Sequence, residues 1–131
     1  MLNTQLSPWP SFTQEEADAI QKVLLSNKVN YWTGDECRQF EKEFAKFSNT
    51  EFAVALSNGT LALDVALKAM NIGDGDDVIV TSRTVLASAS SIVTAGANPV
   101  FADVDLNSQN ITAQSIETVL TEQTKAIIVV H

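Results

Sequence analysis

The sequence contains one cysteine, Cys37, and one histidine, His131. A single thiol permits neither an intrachain disulfide nor a multi-cysteine zinc site. A single imidazole at the last position leaves metal sites and Ser-His-Asp triads without the partners they require. Cys37 lies in a helical pattern beside charged residues and reads as an inert thiol. Basic residues are scarce too: eight Lys and Arg stand against sixteen Asp and Glu, for a formal net charge of −8. No cluster of them offers the electrostatic footprint of nucleic-acid binding, so DNA and RNA are not expected partners. No apolar run approaches the roughly 18 to 20 residues of a membrane span, and Met1 to Pro10 has no basic stretch followed by an apolar core. A soluble, cytoplasmic protein without a membrane partner is expected. Only one glycine, Gly59, falls between Phe52 and Met70. That excludes a Gly-x-Gly-x-x-Gly dinucleotide turn there, and no Gly-Lys-Ser or Gly-Lys-Thr supplies a P-loop.

What remains is ordinary globular material, 45% hydrophobic over 131 residues. Thr13 with Glu16 is a capping box ahead of Ala17, Ile20, Val23 and Leu24, which predicts a helix over about 14 to 26. Thr33 with Glu36 repeats the signature before Phe40, Phe44 and Phe47, for a second amphipathic helix reaching about Ser48. Between them Asn27 to Gly34 breaks the pattern and carries Tyr31 and Trp32. From residue 51 the character changes. Phe52 to Leu56 is a short continuous apolar run, as in a strand covered on both faces. Leu61 to Met70, apolar apart from Asp64 and Lys68, reads as a buried helix closed by Asn71 and Gly73. The unit then repeats: a strand at Asp77 to Val80, a helix from Thr84 to Ala95, a strand at Val100 to Val104, a short helix capped by Thr112, and a strand from Lys125 to Val130. This alternation predicts an α/β fold, in which N-terminal helices (1–50) precede a mostly parallel sheet of about four strands covered by helices (51–131). The last and most apolar strand meets the end of the chain where an α/β protein places a functional loop, so the sequence reads as cut rather than finished.

The most informative segment for chemistry is Ser57-Asn58-Gly59-Thr60, which joins an apolar run to a helix and so presents backbone N–H groups at a helix N-terminus. An anion is held well there. Gly59 admits close backbone approach, and the Thr60 hydroxyl adds a donor. The residues alone equally allow an ordinary capped turn. Asp103 and Asp105 resemble a carboxylate pair but read as loop- or solvent-facing groups. On the residues alone Tyr31 and Trp32 read as aromatics buried against the sheet.

Four blocks in order carry a resemblance: Ala55 to Leu63, Ile72 to Val80, Gly96 to Asp105, and Thr124 to His131, with Trp32-Thr33-Gly34 before them. Together they are similar to the DegT/DnrJ/EryC1/StrS family of sugar aminotransferases. The resemblance implies the large domain of a fold-type I enzyme dependent on pyridoxal 5'-phosphate (PLP). Such an enzyme is usually a homodimer and transfers an amino group from glutamate to a nucleotide-linked keto-sugar, for amino sugars such as those of lipopolysaccharide or O-antigen. Gly59 and Thr60 match the family residues that bind the PLP phosphate. A binding role for Tyr31 and Trp32 is implied only by this resemblance. Val85 matches a position where the family often stacks an aromatic on the cofactor ring; the residues alone equally read Val85 as a helix core residue. The family's Schiff-base lysine and the acid that pairs with the pyridine nitrogen belong to later motifs. None of the six lysines, Lys22, Lys28, Lys42, Lys46, Lys68 and Lys125, matches, so no catalytic residue is assigned and the chain alone is expected to be inactive. Two alternatives stay open: a PLP-dependent sugar dehydratase of the same family, and a truncated, non-catalytic product.

Overall fold

The computed structural model describes residues 8–130, which leaves His131 outside the described residues. Two compact units divide the chain, Met1–Ala55 and Leu56–His131.

In the first unit α1 spans Gln14–Leu25. Its capping box forms as expected: the Glu16 N–H donates to Thr13 Oγ1 at 3.3 Å, and Glu16 Oε2 accepts the Thr13 N–H at 2.6 Å. That reciprocal bond holds the Glu16 carboxyl below its ordinary value, the Thr13 backbone N–H contributing most. Helix α2, Glu36–Phe47, begins differently from expectation. Its N-cap is Asp35, with no side-chain cap bond, because Thr33 is already engaged. Asn30 Oδ1 accepts the Thr33 hydroxyl at 3.1 Å together with the N–H groups of Trp32 and Thr33, both at 3.0 Å. An Asn side chain folded onto the backbone just after it competes successfully with a helix cap.

The expected strand at Phe52 to Leu56 is absent: the segment has no strand partner among the described residues, and Phe52 and Val54 are exposed. An apolar run becomes a buried strand only when neighbouring strands take its backbone groups. Here the Ala55 N–H goes instead to Glu41 Oε1 of α2 at 2.9 Å. Helix α1 likewise buries none of its residues.

The second unit opens with α3, Gly59–Ala69. It is not buried all round, since Leu67 alone is fully enclosed. The sheet has three parallel strands in the order β2-β1-β3: β1 Asp77–Thr81, β2 Asn98–Ala102 and β3 Thr124–Ile128. Of the four strands expected from the sequence, the one not formed is the first, Phe52 to Leu56. The central strand β1 is buried from Val78 to Thr81. Val78 and Val80 share one face with Leu67, Ile72, Ile92 and Ala97, against which Ala126 and Ile128 also pack. Ile79, fully enclosed, lies on the other face. Helix α4 runs from Leu86 to Ala95, not from Thr84, and stops at Gly96 in the left-handed conformation, φ 89°. Buried Ser88 and Ser91 give it a slim face, and it packs on α3. Helix α5, Ala113–Glu117, has the expected Thr112 cap, reciprocated by Ser115.

Strands β2 and β3 begin earlier than expected because their starts are tied to β1. The Asn98 N–H donates to Asp76 O and the Asp77 N–H to Gln123 O, both at 2.9 Å. The Asp77 carboxylate then spans all three strand starts: Thr121 Oγ1 donates to it at 2.6 Å and Asn98 Nδ2 at 2.9 Å. Strand β2 ends at Ala102 because Val104 has left the sheet for an antiparallel bridge with Ile111. A helix joined to a parallel strand by a connection as short as 70–76 runs antiparallel to it. The N-terminus of α3 therefore faces the carboxyl ends of the strands.

The Thr121 hydroxyl first, and the Asn98 amide second, hold Asp77 below the ordinary aspartate value. A depressed folded pKa contributes stability above the unfolded value and loses it as pH falls through the folded one. The stability difference between the parent chain and Asp77→Asn should therefore be constant near neutrality and shrink in acid, below the ordinary aspartate pKa. Urea titrations across that range measure it, and a difference that grows on acidification would contradict the assignment.

Candidate functional site

The first four N–H groups of any α-helix lack intrahelical acceptors. In α3 one of the four, that of Leu61, is used within the turn, and the regular helix ladder begins at Ala62. Asn58, the extended N-cap residue, accepts the Leu61 N–H on Oδ1 at 3.0 Å, and its carbonyl takes the Ala62 N–H at 3.2 Å. Among the described residues no acceptor engages the N–H groups of Gly59 and Thr60 or the Thr60 hydroxyl. All three belong to exposed residues. No acidic residue occupies the first turn, so the positive end of the helix dipole is left uncompensated there. The turn is thus fixed by Asn58 while its next two residues point donors outward, an arrangement able to hold an anion.

Glycine at this position answers no demand of the fold. A methyl group on Gly59 would meet no atom within 4 Å, and its φ is not left-handed. Gly34 differs: a Cβ there would lie 2.2 Å from the Lys28 carbonyl oxygen, so that glycine is needed by the loop itself. The open space over Gly59 and the two uncommitted N–H groups fit a phosphate.

Val85 is the extended N-cap residue of α4 and is 70% exposed, so the reading of it as helix core is overturned. It follows the carboxyl end of β1, toward which α3 also directs its N-terminus. Two residues before it stands Arg83, which sequence reasoning passed over. The available signal was a lone cation just past a strand with the apolar interior Val78 to Val80. Its N–H donates to Thr81 Oγ1 at 3.2 Å and its Nη1 to the Gln109 carbonyl at 3.3 Å.

The remaining candidates separate from this edge. The Asp105 carboxylate is taken by the N–H groups of Asn107 and Ser108, at 3.1 and 2.8 Å, and lies below its ordinary value chiefly because of Ser108. It makes no pair with Asp103, which accepts the Val104 N–H. In the other unit Trp32 is 83% exposed, and Tyr31 carries the Arg38 guanidinium at 5.1 Å from its ring centre while its hydroxyl meets Glu41 at 3.2 Å. The expectation that these aromatics are buried does not hold. All six lysines are exposed, as is Cys37. No group of three or more potential metal-ligating His, Cys, Asp or Glu residues exists among the described residues, and none of their helices is long and apolar enough to cross a membrane.

A model of the DegT/DnrJ/EryC1/StrS aminotransferase family matches residues 10–131. The spore coat polysaccharide biosynthesis protein SpsC of Bacillus subtilis is 42% identical over 122 residues, which are 93% of this chain and 31% of SpsC. An aminotransferase from Psychrobacter cryohalolentis superposes with a TM-score of 0.92 at 65% identity, over 95% of this chain and 32% of that one. A sugar aminotransferase of Streptococcus pneumoniae, Spr1654, solved in its PLP form, gives a TM-score of 0.79 at 31% identity, over 90% of this chain and 30% of its own. The fold is accordingly that of fold-type I PLP-dependent aminotransferases. The chain spans about a third of the length of these relatives.

The two glycines give a direct test. Gly59→Ala should change unfolding free energy by less than about 0.5 kcal/mol, having neither a clash nor a left-handed φ to oppose it. Gly34→Ala should cost about 1–3 kcal/mol, because backbone must move to admit the methyl group. Paired denaturant titrations read both, and equal costs would remove the distinction between a glycine the fold needs and one it does not.

Proposed function

The chain belongs to the DegT/DnrJ/EryC1/StrS aminotransferase family, and we propose that it is the N-terminal portion of a PLP-dependent enzyme that transfers an amino group from glutamate to a keto-sugar nucleotide. The product is an amino sugar, of the kind used in lipopolysaccharide, O-antigen or similar polysaccharides. The working enzyme is a cytoplasmic homodimer. The observation that carries this reading is the family match across residues 10–131, which brings with it a helix N-terminus whose donors suit a phosphate.

PLP, when bound, supplies the electron sink that amino transfer requires. The residues of this chain hold it in place. The Gly59 and Thr60 N–H groups and the Thr60 hydroxyl would hold the phosphate, aided by the N-terminal end of the α3 dipole. Asn58 keeps the turn in shape through its bond to Leu61, so the donors are aimed before the anion arrives. Val85, exposed at the start of α4, would offer the ring an aliphatic cover without the roughly 0.5–1.5 kcal/mol of an aromatic stack. Proton transfer is left to a lysine outside this sequence, since the six lysines present are exposed surface groups.

Two measurements test this. With PLP, glutamate and a panel of keto-sugar nucleotides, the chain alone should make no amino sugar, whereas the full-length protein should. In the full-length protein Thr60→Val keeps the shape but removes a hydrogen bond to a charged acceptor, worth about 1.5–3 kcal/mol. PLP affinity, read by the absorbance of the bound cofactor, should fall about ten- to a hundredfold. A bulky residue at Gly59 should weaken PLP binding further than it weakens the fold. Unchanged affinity in both variants would reduce Ser57 to Thr60 to a capped turn, and turnover by the chain alone would refute the lysine assignment.

A further inference from the structure

Arg83 has no carboxylate within ion-pairing distance among the described residues, in a chain whose net charge is −8. Its guanidinium lines a cavity of about 270 Å³ with Gln109, Asn110 and Val130, and it is the sole charged residue in that lining. These residues follow the carboxyl ends of the three strands: Arg83 comes after β1, Gln109 and Asn110 after β2, and Val130 after β3. In an open parallel sheet that edge is where ligands bind.

No acidic residue lines this cavity. In the loop after β2, Asp105 Oδ1 accepts the N–H groups of Asn107 and Ser108. The Asp105 N–H donates to the Asn110 carbonyl at 3.0 Å and the Gln109 N–H to the Asp105 carbonyl at 2.9 Å, which closes the loop on itself. The Gln109 side chain is occupied by the Leu106 carbonyl at 2.7 Å. One Arg83 nitrogen is anchored on the Gln109 carbonyl, while its other donors and the Asn110 side-chain amide make no hydrogen bond within the described residues. A fixed guanidinium with spare donors beside a neutral amide donor is a receptor for a planar or tetrahedral oxyanion.

We propose that the Arg83, Gln109, Asn110 and Val130 cavity is an oxyanion-binding subsite, taking a carboxylate or a phosphate, separate from the helix N-terminus at Gly59 and Thr60. It does not depend on the cofactor reading of that helix.

The test is a titration of the ¹⁵N-labelled full chain with sodium phosphate and, separately, sodium glutarate at constant ionic strength, following the Arg83 Nε–H resonance. A saturable shift with at least one anion is expected. Response to phosphate alone assigns the subsite to phosphate groups, response to glutarate alone assigns it to carboxylates, and response to both makes it a general oxyanion receptor. Arg83→Gln should weaken binding about tenfold or more, followed on the Asn110 amide. Arg83→Lys, which keeps the charge but not the fork, should fall between the two and guards against a variant that fails to fold. Thr60→Val should weaken any phosphate response at the Gly59 and Thr60 amides and leave the Arg83 titration unchanged. A linear, unsaturable shift with both anions, an unaltered affinity in Arg83→Gln, or loss of the Arg83 response in Thr60→Val would overturn the proposal.

Discussion

The second unit depends on one constraint: β1 is buried from Val78 to Thr81, so its backbone groups must be paired on both edges. Leaving a buried N–H or C=O unpaired costs about 1–3 kcal/mol each. Strands β2 and β3 supply those partners, and they can do so only if the chain returns twice to the same level. The Asp77 carboxylate, with Thr121 and Asn98, sets that level at the amino edge of the sheet. The irregularity between Asp77 and Val78 on the β3 side lies at this junction, where the pairing steps from Thr124 to Ala126. With the starts held there, the carboxyl ends come out together at the opposite edge, and the loops that follow them meet around Arg83.

Tension between fold and function is localised in the loops at that edge. Residues such as Asn58 and Asp105 commit side-chain oxygens to closing their own turns. Their neighbours keep donors uncommitted among the described residues: Gly59 and Thr60 beside the first, and Asn110 in the loop closed by the second. A polar group satisfied within its own loop makes a rigid frame, and the unsatisfied donors next to it are held for an external partner at little further entropic cost. In that sense Asn58 contributes to binding through geometry.

Much of this was legible in the sequence, for identifiable reasons. The capping residues Thr13 and Thr112, the Gly96 terminator and the apolar core of β1 are local signals, each set by a residue and its near neighbours, and each appears where expected. The misreadings arise where a local pattern needs distant partners or meets a local competitor. Phe52 to Leu56 has strand composition but no strand beside it among the described residues, and its Ala55 N–H is claimed by Glu41, fourteen residues earlier. Thr33 has the spacing of a helix cap but is captured by Asn30. Val85 sits in an apolar stretch, yet α4 begins one residue later and leaves it exposed. Arg83 was passed over because a lone cation after a strand gains meaning only from the absence of a counterion, which the sequence does not show.

An acidic chain can still present anion sites because the relevant fields are short-ranged. At physiological ionic strength the screening length is about 8 Å, so a net charge of −8 spread over 131 residues exerts little force at any one point. What an incoming anion meets is local: the uncompensated end of α3, whose first turn carries no acid, or a guanidinium with no ion-pair partner among the described residues. The contrast with α1 makes the point, since Glu15 and Glu16 occupy its first turn and would repel the anion that α3 can accept. Two helices of similar length in one chain thus differ in what their N-termini can hold, and the difference rests on which residues follow the cap.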